Sequence, residues 1–328
     1  MKLASLKRGG RDGTLIVVSR DLTRAVEVAA IAPTLQQALD RWSDTAPRLN
    51  VVAEALEAGT AVGAFALDCN ELASPLPRAY EFVDGSAYLP HVERVRRARG
   101  ADVPASFYVD PLMYQATSAQ FLGPRDPVQV VSEEYGIDLE AEVVVVTDDV
   151  PMAVTPEQAA EHIQLIGLVN DVSLRNLIPN ELAKGFGFLQ SKPRSALSPV
   201  LCTPDELGEF WQQSKLHRRL ITHINGTLFG QPDAGTDMQF NFAQLIAHVA
   251  KTRNLTAGSI VGSGTVANQD EAQGASCLAE KRVLEVIKTG TATTPFLSFG
   301  DRVRIEMFDD AGKSLFGAID QEIVQYRA

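Results

Sequence analysis

The stretch IDLEAEVVVV, residues 137–146, sets two carboxylates one residue apart at the mouth of a run of valines. In a strand, successive side chains alternate between faces. Glu140, Glu142, Val144 and Val146 then share one face, and Ile137, Leu139, Ala141, Val143 and Val145 the other. Both faces are apolar past Glu142, which predicts a strand covered on both sides. Two carboxylates side by side in such a place repel each other and lose hydration. Two readings remain open. Either 140–142 is a solvated strand end, or the pair is buried and compensated, by a proton on one acid or by a cation between them.

Downstream, LIGLVNDVSLRN (165–176) is a second apolar run, and it ends in Asn170-Asp171. Asp171 would leave that strand at the edge of the same core. Three acids with no Cys or His among them suit a hard cation, Mg²⁺, Mn²⁺ or Ca²⁺, and do not suit zinc.

Further out, β-like runs recur at 127–132, 162–171, 220–226, 258–266, 301–309 and 316–324. They are interrupted by a helix at 155–162, with Thr155, Pro156 and Gln158 forming a capping box, and by an amphipathic helix at 240–252. Helices do not alternate regularly with strands. That disfavours a doubly wound sheet and predicts an α+β, β-rich body of mixed or antiparallel sheets. Residues 1–72 read as a small N-terminal α+β domain, with a strand pair at 14–19 and 24–28 and helices at 34–42 and 49–59. The proline-bearing ELASPLPRAY (71–80) reads as a linker to a second domain over 73–328, and 86–100 as a basic helix.

The bulk numbers narrow the class. With 328 residues there is room for a large domain and a small one, and a formal charge of −11 argues against nucleic-acid and anionic-membrane partners. Cys69, Cys202 and Cys277 are sparse, odd in number and without CxxC spacing, as in a reducing compartment. No secretory h-region and no long apolar run is visible, so the expectation is a cytoplasmic enzyme. A phosphate-binding GxxxxGK[ST], a strand-anchored GxGxxG and a GxSxG nucleophile turn are all missing from the sequence; GASCL at 274–278 lacks the last glycine.

Four segments in order carry a resemblance: IDLEAEVVVV, TPEQAAEHIQLIGLVNDVSLRN (155–176), SKP (191–193) and GSGTV (262–266). From residue 70 onward the chain resembles the fumarylacetoacetate hydrolase family. The resemblance implies a mixed-sheet β-roll or sandwich catalytic domain with a small N-terminal domain, and a homodimer. It implies Glu140, Glu142 and Asp171 as ligands of Mg²⁺, with Mn²⁺ or Ca²⁺ as alternatives. Lys192 matches the family lysine that meets substrate, Arg175 the arginine of N-D-x-S-x-R, and Thr265 the threonine of the glycine turn, while Tyr114 is a pocket-lining candidate. SAYLPHVERV (86–95) resembles the family's lid helix N-Y-x-x-H-x-x-E, with Tyr88 and His91 matching. Arg94 stands where the family has glutamate, and Glu93, one residue earlier, is the stand-in. Glu280, in ASCLAEKR, matches a glutamate that supports the base in the family's namesake hydrolase. That enzyme's own histidine would fall at 119–120, where this chain has Ala119-Gln120, so the base moves to His91.

The implied function is metal-dependent hydrolysis of a C–C bond in a β-diketo acid, fumarylacetoacetate or an acylpyruvate, in the catabolism of aromatic amino acids and aromatic compounds. A hydratase, isomerase or decarboxylase of 2-oxo acids on the same site competes with it. So does a non-catalytic protein that binds a 2-oxo acid or a metal. The histidines at 162, 217, 223 and 248 read as structural.

Overall fold

The structure, a computed structural model, describes residues 1–98 and 102–327. The strand Ala141–Thr147 is fully buried along its length. It pairs antiparallel with Ile163–Asn170, Glu142 opposite Val169 and Ala141 opposite Asn170, and on its other edge with Ile260–Gly262. Its two faces feed separate cores. Ala141, Val143 and Val145 pack into one apolar cluster, Val144 and Val146 into the other. That is the alternation a doubly covered strand requires.

Among the described residues this strand lies inside an eleven-stranded mixed sheet. One side continues through Ile260–Gly262 to Phe82–Gly85, paired in parallel, and then to Met113–Gln115 at the edge. On the other side Leu201–Cys202 joins Ile163–Asn170 to Lys2–Leu6, and the N-terminal strands Thr14–Val18, Arg24–Glu27 and Phe65–Ala66 follow in order. The N-terminal α+β unit thus extends the same sheet. A second sheet of five strands runs Thr227–Gly230, Leu220–Ile224, Arg302–Met307, Ile319–Gln325 and Val128–Val130. The fold is α+β and β-rich, as the strand spacing predicted.

The two helices predicted in the larger domain at 155–162 and 240–252 form within those bounds. Thr155 and Gln158 close a capping box on Pro156–Glu161, and Asn241 with Gln244 closes another on Phe242–Val249. Thr34 caps Leu35–Leu39, but the chain breaks there, and the next helix spans Trp42–Glu57. It starts well before the expected 49 and carries Pro47 inside it.

Two elements were not expected, and both matter to the site. The strand Phe82–Gly85 lies between the proline linker and the basic helix, and is too short to show a period. The helix Leu278–Thr289 begins at Cys277 and ends on Gly290 in the left-handed region, at φ 83°. Asp138 holds its first turn, accepting from the backbone N–H groups of Leu278 (2.7 Å) and Ala279 (2.9 Å).

Candidate active site and metal cluster

Glu142 is fully buried, and among the described residues no N–H or hydroxyl donor reaches either of its carboxylate oxygens, which meet the Asp84 carboxyl instead. Among the described residues it is the one buried carboxylate left so. A buried acid without donors is costly unless something compensates it. Asp84, on the strand Phe82–Gly85, and Asp171, just past Ile163–Asn170, bring carboxylate oxygens to within 4.8 Å of it and of each other. Burial comes first in raising the pKa of Glu142 well above the usual carboxylate range, with Asp84 and Glu140 adding to it. Burial likewise lifts Asp84, to about 7, with Asp171 next. A hard divalent cation fits this all-oxygen set: it would relieve three mutually repelling acids and give Glu142 its missing partner.

The cluster depends on a glycine turn. Asp84 accepts from the Gly264 N–H at 3.1 Å. A Cβ on Gly262 would fall 2.2 Å from Asp84 Oδ1 and 3.3 Å from Glu142 Oε2. At Gly264, with φ +77°, it would fall 2.2 Å from the Gly85 carbonyl oxygen. The GSG of 262–264 is what lets two strands bring their acids together.

Glu140 is placed differently from the expectation. The three-acid group holds Asp84, which was not expected, and Glu140 lies beside it in the same cavity with its carboxylate held by two cations. Arg175 Nη2 donates to one oxygen at 2.6 Å, and Lys192 Nζ to the other. Burial opposes ionisation of Glu140, but Lys192 and Arg175 outweigh it and push its pKa below the usual range. Lys192 also donates to Asp171 Oδ2 at 2.6 Å, Ser195 Oγ donates to Asp171 Oδ1 at 2.7 Å, and the Tyr114 hydroxyl donates to Asp171. Burial lowers the pKa of Lys192, yet Asp171 and Glu140 more than offset this, so the ammonium keeps its charge. Arg175 is shared between Glu140 and Asp138, which lies 2.8 Å from its Nε.

Facing the acids across a cavity of about 140 Å³ is His91. The cavity is also lined by Asp84, Tyr88, Tyr114, Glu140, Glu142, Arg175, Lys192 and Thr265. His91 Nδ1 lies 2.7 Å from Glu280 Oε2, and Glu280 is fully buried on the Leu278–Thr289 helix. With Nδ1–H donated to Glu280, Nε2 is the basic nitrogen.

Glu93, expected as the lid acid, does not face the cavity. It accepts from Tyr108 (2.9 Å) and Gln269 (3.4 Å) instead. Helical geometry explains this: residues two apart point to opposite sides, and residues three apart share a face. Arg94, three after His91, occupies that face. Its guanidinium donates to Glu280 Oε1 at 2.6 Å and to the Asn268 carbonyl at 2.7 Å. The lid position thus carries a cation and meets its acid on another helix.

None of the other four histidines lines the cavity. His162 pairs with Asp148 at 2.6 Å, and His248 lies 3.4 Å from Asp110. Asp84 and Ser195 were missed. An acid within FVDG, between a linker and a helix, was the available signal for Asp84; nothing distinguished Ser195.

Comparison with known proteins matches residues 81–324 to the family profile described as fumarylacetoacetate (FAA) hydrolase C-terminal, and residues 1–78 to fumarylacetoacetase N-terminal domain 2. The chain is 31% identical over 159 residues to a 2,4-didehydro-3-deoxy-L-rhamnonate hydrolase of Sphingomonas sp. (strain SKA58), covering 48% of this chain and 53% of that protein. It is 26% identical over 210 residues to oxaloacetate tautomerase YisK of Bacillus subtilis (strain 168), covering 62% and 65%. The chain therefore spans about half to two thirds of the length of these relatives. The structure of a fumarylacetoacetate hydrolase from Exiguobacterium antarcticum superposes with a TM-score of 0.68 at 17% identity, over 99% of this chain and all of that one. Maleylpyruvate hydrolase from Sphingobium sp. SYK-6 gives 0.66 at 14%, with the same coverage. At such identities these structures speak for the fold.

Proposed function

This chain belongs to the fumarylacetoacetate hydrolase family, and we propose that within it the protein is a divalent-metal-dependent hydrolase of a C–C bond in a β-diketo acid, of acylpyruvate or fumarylacetoacetate type. The observation that carries this reading is the Glu142 carboxylate without an N–H or hydroxyl donor among the described residues, clustered with Asp84 and Asp171 across a small cavity from the His91–Glu280 pair.

Asp84, Glu142 and Asp171 would hold Mg²⁺, Mn²⁺ or Ca²⁺, with Glu140 beside them. A bound divalent cation supplies Lewis-acid polarisation of the substrate's 2-oxo-acid oxygens. Glu280 orients His91, whose Nε2 takes a proton from water as the water oxygen bonds to the distal carbonyl carbon. The C–C bond then breaks, its electron pair passes to the 2-oxo end as an enolate, and the proton returns to carbon. Lys192, held charged by Asp171 and Glu140, places a fixed positive charge beside the oxygen that gains electron density. Thr265 and the Tyr114 hydroxyl line the same cavity as positioning groups. Arg175 supports the acids through Glu140 and Asp138. The division at 72/73, a homodimer, a cytoplasmic location and a role in aromatic catabolism belong to the same reading, on family resemblance. Among the described residues no helix is long and apolar enough to cross a membrane.

Keto–enol isomerisation of a 2-oxo acid is the second reading. The relatives quoted include a tautomerase beside a hydrolase, and both reactions need the same base and the same stabilisation of an enolate.

The test uses EDTA-stripped protein with acylpyruvates and fumarylacetoacetate, with and without Mg²⁺ or Mn²⁺, following loss of diketone absorbance and release of the carboxylic acid. Metal-dependent release, abolished in Glu142→Gln, is expected. Metal-dependent enol–keto interconversion without acid release would move the assignment to the tautomerase. Tight metal binding with no turnover of any 2-oxo acid would leave a binding protein.

A further inference from the structure

A second cavity of about 440 Å³ opens directly off the first, and His91, Arg175, Ile178 and Phe188 line both. Its far wall comes from three elements. On the helix Leu278–Thr289, residues 279, 282, 283 and 286 fall on one stripe, while Leu278, Glu280 and Leu284 turn to the interior. Val95 extends the wall one helical turn beyond His91, and Leu182 and Phe296 complete it. Leu182 is 44% exposed.

Among the described residues no carboxylate lines this chamber, and the one cation beyond those of the reaction cavity is Arg282. Its guanidinium lies 4.3 Å over the Phe296 ring and donates to the Thr294 carbonyl. Arg282 keeps its charge, with its flat face against Phe296 and one N–H on the Thr294 carbonyl.

The geometry points to this chamber as the subsite for the distal substituent of the substrate, and to an uncharged apolar tail, aliphatic or aryl, as its occupant. The inference rests on the proposed reading that the 2-oxo-acid end lies at the acidic cluster; a tail leaving that end past His91 enters the chamber. Of the two substrate types proposed above it keeps the acylpyruvate one, as 2-oxo or 2,4-dioxo acids carrying a hydrophobic group, and sets aside the dicarboxylate fumarylacetoacetate. Small polar dicarboxylates would leave the walls wet and gain nothing from them.

The test separates this from the reaction assignment by reading binding rather than turnover. Mn²⁺-loaded protein is titrated calorimetrically with pyruvate, 2-oxooctanoate and 2-oxoadipate. The expected result is about tenfold or more tighter binding of 2-oxooctanoate than of pyruvate, with 2-oxoadipate no better than pyruvate. That preference should collapse in Val286→Asp and in Val286→Trp, which charge and fill the chamber. Equal affinity for the short and long apolar acids in the wild type, or a preference for 2-oxoadipate, would overturn the proposal whether or not any diketone is cleaved. So would a flat tail series together with a change of oligomeric state in Val286→Asp, which would make the wall a contact between copies of this chain. Tail-length discrimination without diketone cleavage would sustain the subsite and sink the hydrolase instead.

Discussion

Glu142 and Glu280 are both fully buried acids, and they are satisfied in opposite ways. Glu280 has His91 on one oxygen and Arg94 on the other, a closed network of charge-assisted bonds. Glu142 has no N–H or hydroxyl donor among the described residues and only another acid, Asp84, beside it, which suits a residue meant to meet an ion. Glu280→Gln should therefore cut kcat about a hundredfold or more, as loss of a general base's orienting partner does. Glu93→Gln should stay within about twofold, because Glu93 bonds to Tyr108 and Gln269, away from the cavity. Steady-state kinetics on the two variants checks both; equal losses would return the lid role to Glu93. Asp84 gives a pH prediction for metal-free protein. Its folded pKa, about 7, is raised from an ordinary 3.8 by burial first and then by Asp171. A raised carboxyl stabilises the fold below its unfolded pKa, and that contribution is lost as pH climbs to the folded value. Wild type should thus lose Tm relative to Asp84→Asn between about pH 4 and pH 7, and Mg²⁺ should restore more of it at pH 8 than at pH 5. A flat difference across that window would contradict the assignment.

At the scale of elements, the strands Phe82–Gly85, Ala141–Thr147, Ile163–Asn170 and Ile260–Gly262 and the helices Leu89–Ala98 and Leu278–Thr289 make the site. The Glu142 strand, the Asp171 strand and the glycine turn after Ile260 were legible, because alternating faces and the run of valines mark a doubly covered strand. The residues the sequence did not place are long-range partners. Nothing local says that Phe82–Gly85 pairs with Ile260–Gly262, so Asp84 stayed invisible. Lys192 and Arg175 were recognisable as site residues, yet only the fold shows that both turn to Glu140. The lid acid was misplaced for a simpler reason: the reading compared residue types, whereas helical phase puts position 94, and not 93, on the His91 face. The glycine turn yields its own test. Gly262→Ala would force a Cβ against Asp84, and metal affinity should fall at least tenfold while the far-UV spectrum is kept; unchanged affinity would mean that the acids can part without cost.

At the scale of the whole molecule, the N-terminal unit is tied to the catalytic body by backbone, since Lys2–Leu6 pairs with Leu201–Cys202 and through it with the Asp171 strand. Cutting residues 1–72 would bare that edge and strip one apolar core of Leu3, Leu15, Val17 and Leu39. The remaining chain should aggregate or lose cooperative unfolding, to be read by calorimetry; an undiminished transition would show that the sheet needs no extension. Everything catalytic in this account stands on the claim that three buried acids form a metal centre. The direct measurement is Mn²⁺ binding to EDTA-stripped protein, by electron paramagnetic resonance of the free ion, in wild type and Glu142→Gln. The account predicts one site per chain in the wild type and its loss in the variant. Binding that is absent in the wild type, or untouched by Glu142→Gln, would contradict it.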